Sequence, residues 1–327
     1  MTNKIKRWLF VGGLFVFVIV VTCFTIPWVK SSVTKPRTIR QSQMSPVIFI
    51  PGSSAGQNRF DDLFKTINSG QGVAKNAQGG QKSTPVQHSI VKITVKENDT
   101  LQVTGQVRAG DNTPFFVVAF ENNHDGYANI KKQAKWFNIA FNYLAKTYNF
   151  NNFSGFGHSN GGLIYTLFLE DYFNQSKFKM HELMMLGSPF NLEEKDQSKR
   201  VAMLDDMVDN RNKLPASLNV YLVAGTENYT NDGIVPVDSV YAGKYVYQDQ
   251  VAHFTELTVT GSDAEHSDLP QNKQIVSLMS QNLLQFQERQ PRMNNGTTNQ
   301  KSKNNYNNPD NNQPSSSQSS SGSSKKK

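Results

Sequence analysis

The segment NNFSGFGHSNGGLIY, residues 151–165, limits the possible folds more than any other stretch of the chain. A run suited to a strand, Phe153–Gly157, meets a run suited to a helix, and Ser159 stands at the junction with Gly157 and Gly161 two residues to either side. A sharp strand-to-helix turn forces its apex residue into a sparsely allowed backbone conformation, so a Cβ two positions away would collide with the turn. Gly162 allows still closer helix–strand packing. The pattern predicts a nucleophile elbow that projects the serine from the carboxyl edge of a sheet. The amide of Asn160, at the helix amino terminus, would then point at a developing oxyanion. A plain glycine-rich turn without chemistry fits the same letters. A dinucleotide-binding loop fits GFGHSNG only loosely, because it needs the glycines after the first strand and an acid closing the next strand; the chain has neither.

The surroundings of the elbow are those of an α/β protein. Short apolar runs at 46–50, 88–95, 101–107, 114–120, 153–157, 182–187, 219–225 and 254–260 read as strands. Stretches at 127–147, 161–174, 199–212 and 270–287 read as helices, the first placing Ile130, Ala134, Phe137, Phe141 and Leu144 on one face. From about residue 114, strands and helices alternate, which predicts a mostly parallel, doubly wound sheet covered on both faces. The segment 86–107 alternates with period two around Glu97-Asn98-Asp99 and predicts an inserted antiparallel β-hairpin.

A serine nucleophile needs a base, and the base needs an acid. In a doubly wound sheet the loops that follow strands gather at the edge where the elbow lies. Of the six histidines, His266 sits in TVTGSDAEHSDLPQN, after the last strand and before the last helix, and is the expected base. His124, in a turn after an earlier strand, is the competitor, whereas His158 would point elsewhere from so tight a bend. The acid is expected from GTENYTNDGIVPVDSV, which follows the strand at 219–225. Asp232 is the first choice, with Asp238 and Glu227 as alternatives, and an ordinary Asp-Gly turn is the bland reading. The chain order Ser159, Asp232, His266 is the one this topology calls for. A second oxyanion donor is expected from the loop after the strand 46–50, where Pro51-Gly52 precede Ser53 and the Ser53 N–H would converge with that of Asn160.

The segments IFIPGSSAGQNRFDDLF, FSGFGHSNGG, GSPFN, NDGIVPVDS and GSDAEHSDLPQN resemble an uncharacterised family of alpha/beta hydrolases, often described as cell-surface hydrolases of Gram-positive bacteria. The resemblance spans about residues 46–288. It implies the alpha/beta-hydrolase fold, with Ser159 as nucleophile, Asp232 as acid and His266 as base. Two departures stand out. Pro51 occupies a place where such proteins commonly carry histidine, and Asn160 one where methionine often follows the nucleophile. Neither removes a backbone donor.

The ends of the chain carry a separate message. Lys4, Lys6 and Arg7 precede an uncharged apolar run from Trp8 to Trp28. At about 1.5 Å per residue that run spans a bilayer's hydrocarbon core, with both tryptophans at interfacial positions. It is longer than the apolar core of a cleaved leader and lacks a small-residue exit, so a retained N-terminal transmembrane helix over 1–30 is expected. A polar stalk over 31–45, a hydrolase domain over 46–288 and a disordered Asn/Gln/Ser/Lys-rich tail over 289–327 follow. Cys23, the single cysteine, lies inside the apolar run, so no intramolecular disulfide is possible.

The formal charge of +8 belongs to those ends. Residues 1–40 hold seven Lys and Arg and no acid, residues 289–327 hold seven against Asp310 alone, and −5 remains between them. An acidic domain argues against nucleic acid as a partner, while the basic ends suit a membrane surface or anionic envelope polymers. No metal-binding or cofactor motif occurs, and none is expected. The expectation is a membrane-anchored serine hydrolase outside the cytoplasm, acting on a small or lipid-like ester through an acyl-enzyme. An acyltransferase using the same residues, or a binding protein that keeps the fold without chemistry, are the alternatives. Residues 190–214, short and charged where such folds insert a lid, favour an open site over an apolar tunnel.

Overall fold

The structure is a computed structural model, and it describes residues 42–70, 86–196 and 198–284. Eight strands build one sheet: β1 (Val47–Ile50), β2 (Ile90–Val95), β3 (Leu101–Gly105), β4 (Phe115–Phe120), β5 (Asn152–His158), β6 (Lys179–Leu186), β7 (Asn219–Thr226) and β8 (His253–Thr260). Their order across the sheet is β3-β2-β4-β1-β5-β6-β7-β8. Every neighbouring pair is parallel except β2 and β3. The expected hairpin therefore exists, at one edge, where Asp99 takes a positive φ of 66° to close the turn.

Burial on both faces explains why the central strands read as unbroken apolar runs. In β1 every residue is buried, Val47 and Phe49 on one side and Ile48 and Ile50 on the other. The helices divide between these two layers. They are α1 (Asp61–Asn68), α2 (Tyr127–Tyr148), α3 (Asn160–Asp171), α4 (Ala202–Asn210), α5 (Val237–Tyr241), α6 (Lys244–Tyr247) and α7 (Lys273–Met279). Leu63, Phe64 and Ile67 of α1 join Ile275, Val276 and Met279 of α7 on the Val47 side. The apolar stripes of α2, α3 and α4 cover the Ile48 side.

The four helices expected from periodicity correspond to α2, α3, α4 and α7. The last is shorter than expected, passing at Ser280 into a π-helical turn that runs to Leu284. Helices α1, α5 and α6 were not legible, since eight, five and four residues are too few to establish a 3.6-residue period.

One aromatic cluster fixes the strand end from which the Ser53 loop leaves. Phe49 lies 4.8 to 5.3 Å, centroid to centroid, from Phe60, Phe64, Phe115 and Phe156. Pairs of this kind add about 0.5–1.5 kcal/mol each beyond their buried area. Residues 42–45, the end of the expected stalk, are tied to the start of β5: Ser42 N–H donates to Asn151 Oδ1 at 2.8 Å and Asn152 Nδ2 donates to Ser42 O at 3.2 Å. The expected transmembrane run Trp8–Trp28 and the tail 289–327 lie outside the described residues. Among the described residues no helix is long and apolar enough to cross a membrane.

Candidate active site

Strand β5 delivers the chain to Ser159, and α3 begins one residue later. Ser159 has φ 55° and ψ −128°, a conformation that costs on the order of 1–3 kcal/mol for a non-glycine residue. Two backbone hydrogen bonds hold it there: its N–H donates to Leu186 O at 2.8 Å, and its carbonyl accepts from Gly162 N–H at 3.1 Å. The glycine spacing has a steric cause. A Cβ on Gly157 would come within 2.7 Å of Gly162 N, and one on Gly161 within 2.1 Å of Ile50 O. The elbow thus packs directly onto the end of β1.

The loop after β1 passes over the serine. A Cβ on Gly52 would sit 2.5 Å from Ser159 Cβ and 3.1 Å from Ser159 Oγ, so only glycine admits this approach. Ser54 N–H donates to Asn123 O at 2.9 Å, and Asn123 Nδ2 donates back to Ala55 O at 3.1 Å, tying the loop to the one after β4. Ser53 and Asn160 both border the cavity in front of Ser159. The N–H of Asn160 opens α3 and has no acceptor inside the helix. Its side chain is engaged separately, Nδ2 donating to Asp125 Oδ1 at 2.8 Å.

Asp232 and His266 are joined twice. His266 Nδ1 lies 2.7 Å from Asp232 Oδ2, and His266 N–H donates to the Asp232 carbonyl, also at 2.7 Å. The other carboxylate oxygen, Oδ1, accepts from Ile234 N–H at 3.1 Å and Val235 N–H at 2.7 Å. Both oxygens of a side chain only 1% exposed are therefore satisfied. An Nδ1–H donated to a carboxylate leaves Nε2 as the nitrogen with a free lone pair. Ser159 and His266, 7% and 8% exposed, border the same cavity of about 760 Å³. Among the described residues no hydrogen bond links their side chains, a contact that often tightens only in the substrate complex.

The competing candidates do not converge on this point. His124 is exposed and does not border the cavity; Glu227 and Asp238 are exposed, and the His266 Nδ1 contact goes to Asp232. The rest of the cavity wall mixes apolar groups, among them Leu192, Val201, Ile234 and Val235, with the charges of Arg59, Asp125, Glu193 and Glu194. Segment 190–214 thus contributes to the wall through its first half. Among the described residues no group of three His, Cys, Asp or Glu is placed to hold a metal ion.

Gly187 and Arg59 belong to the site without a sequence signal that marks them, and His158, expected to point away from Ser159, belongs to it through another contact. Gly187 closes β6 with φ 55°, and a Cβ there would lie 3.0 Å from Asp232 Oδ2 and 3.1 Å from His266 Nδ1. Its absence of a side chain is the space in which Asp232 and His266 meet; the motif GSPFN contained it, but a glycine after a strand looks like any other. Arg59 donates through Nη2 to Ser267 O at 2.5 Å, with burial holding its guanidinium below its ordinary pKa against the pull of Asp268. His158 turns back under the elbow, Nε2 lying 2.9 Å from His266 O. Burial, then the neighbouring His266 and Arg59, keep it far below the usual imidazole pKa.

A parallel α/β sheet with a strained serine at a strand–helix elbow, and an Asp–His pair on the loops after its last two strands, defines the alpha/beta-hydrolase class. The family model described as alpha/beta hydrolase of unknown function (DUF915) matches residues 34–286, and the chain belongs to that family. Among solved structures, the chain is similar to a proposed cell surface hydrolase from Lactobacillus plantarum. The two are 51% identical, with 75% of this chain and 93% of that one covered and a TM-score of 0.65. A gene product of Listeria innocua is 24% identical over 73% of this chain and 94% of its own, with a TM-score of 0.62, and shares the fold. A search of curated proteins finds no match.

Proposed function

We propose that the chain is a serine hydrolase that cleaves a carboxylic ester through an acyl-enzyme on Ser159. The observation that carries this reading is the 2.7 Å hydrogen bond between Asp232 and His266, with His266 bordering the same cavity as a serine held at φ 55°. His266 Nε2 takes the Ser159 proton as Oγ attacks the acyl carbonyl, and Asp232 steadies the imidazolium that results. The amides of Ser53 and Asn160 hold the tetrahedral oxyanion, each such donor contributing about 2.7–4 kcal/mol to the transition state. The imidazolium then protonates the departing alcohol. Water, deprotonated by the same His266, attacks the acyl-enzyme, and its collapse returns the proton to Ser159.

The location follows a separate line of support. The apolar run Trp8–Trp28 has the length of a membrane span, and the Lactobacillus plantarum relative is described as a cell surface protein. The enzyme therefore works outside the cytoplasm, anchored by its amino-terminal helix, with basic ends suited to anionic envelope polymers.

Chromogenic esters of increasing acyl length test the reading. Turnover is expected with short chains and is expected to vanish in Ser159→Ala. Absence of turnover with every ester by the folded protein, or full activity in Ser159→Ala, contradicts it; a strong preference for long chains contradicts the open site.

A further inference from the structure

The residue immediately before Ser159 reaches the loop that carries His266. His158 is buried, with its ring centroid 4.7 Å from that of His266 at an interplanar angle of 41°. Its Nε2 lies 2.9 Å from the His266 carbonyl, which has no proton to give, so Nε2 is the donor and carries the hydrogen. Nδ1 is buried and, among the described residues, has no partner. A proton on Nδ1 would have no acceptor and would be opposed by two neighbours that are cationic or become so, His266 and Arg59. The ring is thereby fixed in one neutral tautomer. The next carbonyl along, that of Ser267, accepts from Arg59 Nη2.

We propose that His158 is a positioning residue for the base: through its Nε2–H bond to the His266 carbonyl it ties the histidine loop to the nucleophile elbow and sets the Ser159–His266 separation. The proposal rests on the reading of His266 as base. One bond links the residue before the nucleophile to the residue that deprotonates it, so a shift of either loop is transmitted to the other. Because the ring stays neutral, it adds no charge beside the imidazolium that forms on His266 during turnover.

The experiment is a comparison of His158→Phe, which fills the space without a donor, and His158→Gln, which restores an N–H at similar reach. The Phe variant is expected to lose about 10- to 100-fold in kcat with KM within about threefold, the scale of a small misplacement of reacting groups. The Gln variant is expected to recover most of that loss at equal folded fraction by circular dichroism. A folded Phe variant within twofold of wild-type kcat, or a folded Gln variant as impaired as the Phe variant, overturns the proposal. Should the Phe variant fail to fold, two-dimensional 1H–15N spectra of the wild-type histidines decide. A single neutral Nε2–H tautomer of His158 from pH 5 to 8 supports it, and an Nδ1–H tautomer or titration near pH 6.5 overturns it. Wild-type protein inert towards all esters would instead remove the hydrolase reading, leaving the tautomer measurement to report on the bond alone.

Discussion

Two buried carboxyl groups, Asp232 in the loop after β7 and Glu170 in the last turn of α3, are held on opposite terms. Asp232 receives two backbone N–H groups and the His266 ring. Glu170 is 5% exposed and its Oε1 has no partner among the described residues. Burial, with Asp171 and Asp206 adding like charge, pushes the Glu170 carboxyl up to about 9. The helix dipole adds to the burden on Glu170, since the carboxyl terminus of a helix opposes an anion. Sequestration from water alone does not stabilise a carboxylate; convergent donors do, as they do at Asp232.

That contrast can be tested first where the expected effect is largest. Ser159→Ala should lower kcat by at least about 10⁴-fold, the scale found when a nucleophile that acts as part of a unit is removed. Thermal denaturation should change little, and a parallel loss of folded protein would mean that the elbow serves the fold more than chemistry. Asp232→Asn should cost about 10³- to 10⁴-fold, because the amide can present its N–H to Nδ1 and favour the wrong tautomer of His266. Steady-state rates within tenfold of wild type would place the base's partner elsewhere.

A smaller effect probes the space between the two loops. Gly187→Ala sets a methyl group at 3.0 to 3.1 Å from Asp232 Oδ2 and His266 Nδ1 in a residue with φ 55°. A loss of about 10- to 100-fold in kcat is expected from the displaced pair. Unchanged kinetics in this variant would show that the pair tolerates displacement.

The smallest effect belongs to Glu170 and should leave activity alone. Glu170 holds its proton when folded up to about pH 9, whereas unfolded it releases it near the ordinary value of 4.5. Between those values the native state binds the extra proton, so stability falls as pH rises through the window. Glu170→Gln removes the titration. Urea unfolding should show it more stable than wild type by about 1–3 kcal/mol at pH 8, with the difference gone at pH 4. A variant less stable at pH 8 would mean that the carboxylate has a favourable partner.

Much of this arrangement was legible because its causes are local or topological. Gly157, Gly161 and Ser159 stand out since a tight turn excludes side chains at fixed offsets, and all eight strand runs were visible as apolar segments of the right length. The chain order of Ser159, Asp232 and His266 could be read because loops after parallel strands share one edge. What stayed hidden depends on contacts across the sequence. Gly187 matters through a gap shared by two residues from other loops, and His158 through a backbone carbonyl 108 residues away. Arg59 carries no local signal that its partner is Ser267, and α1, α5 and α6 are too short to declare themselves.

The most direct measurement is the mass of the intact protein after reaction with a fluorophosphonate, with peptide mapping of the adduct. A serine made nucleophilic by His266 should take one equivalent, located on Ser159, and His266→Asn should lose that labelling while remaining folded. An adduct on another residue, no adduct on the folded wild type, or undiminished labelling in His266→Asn would contradict the account.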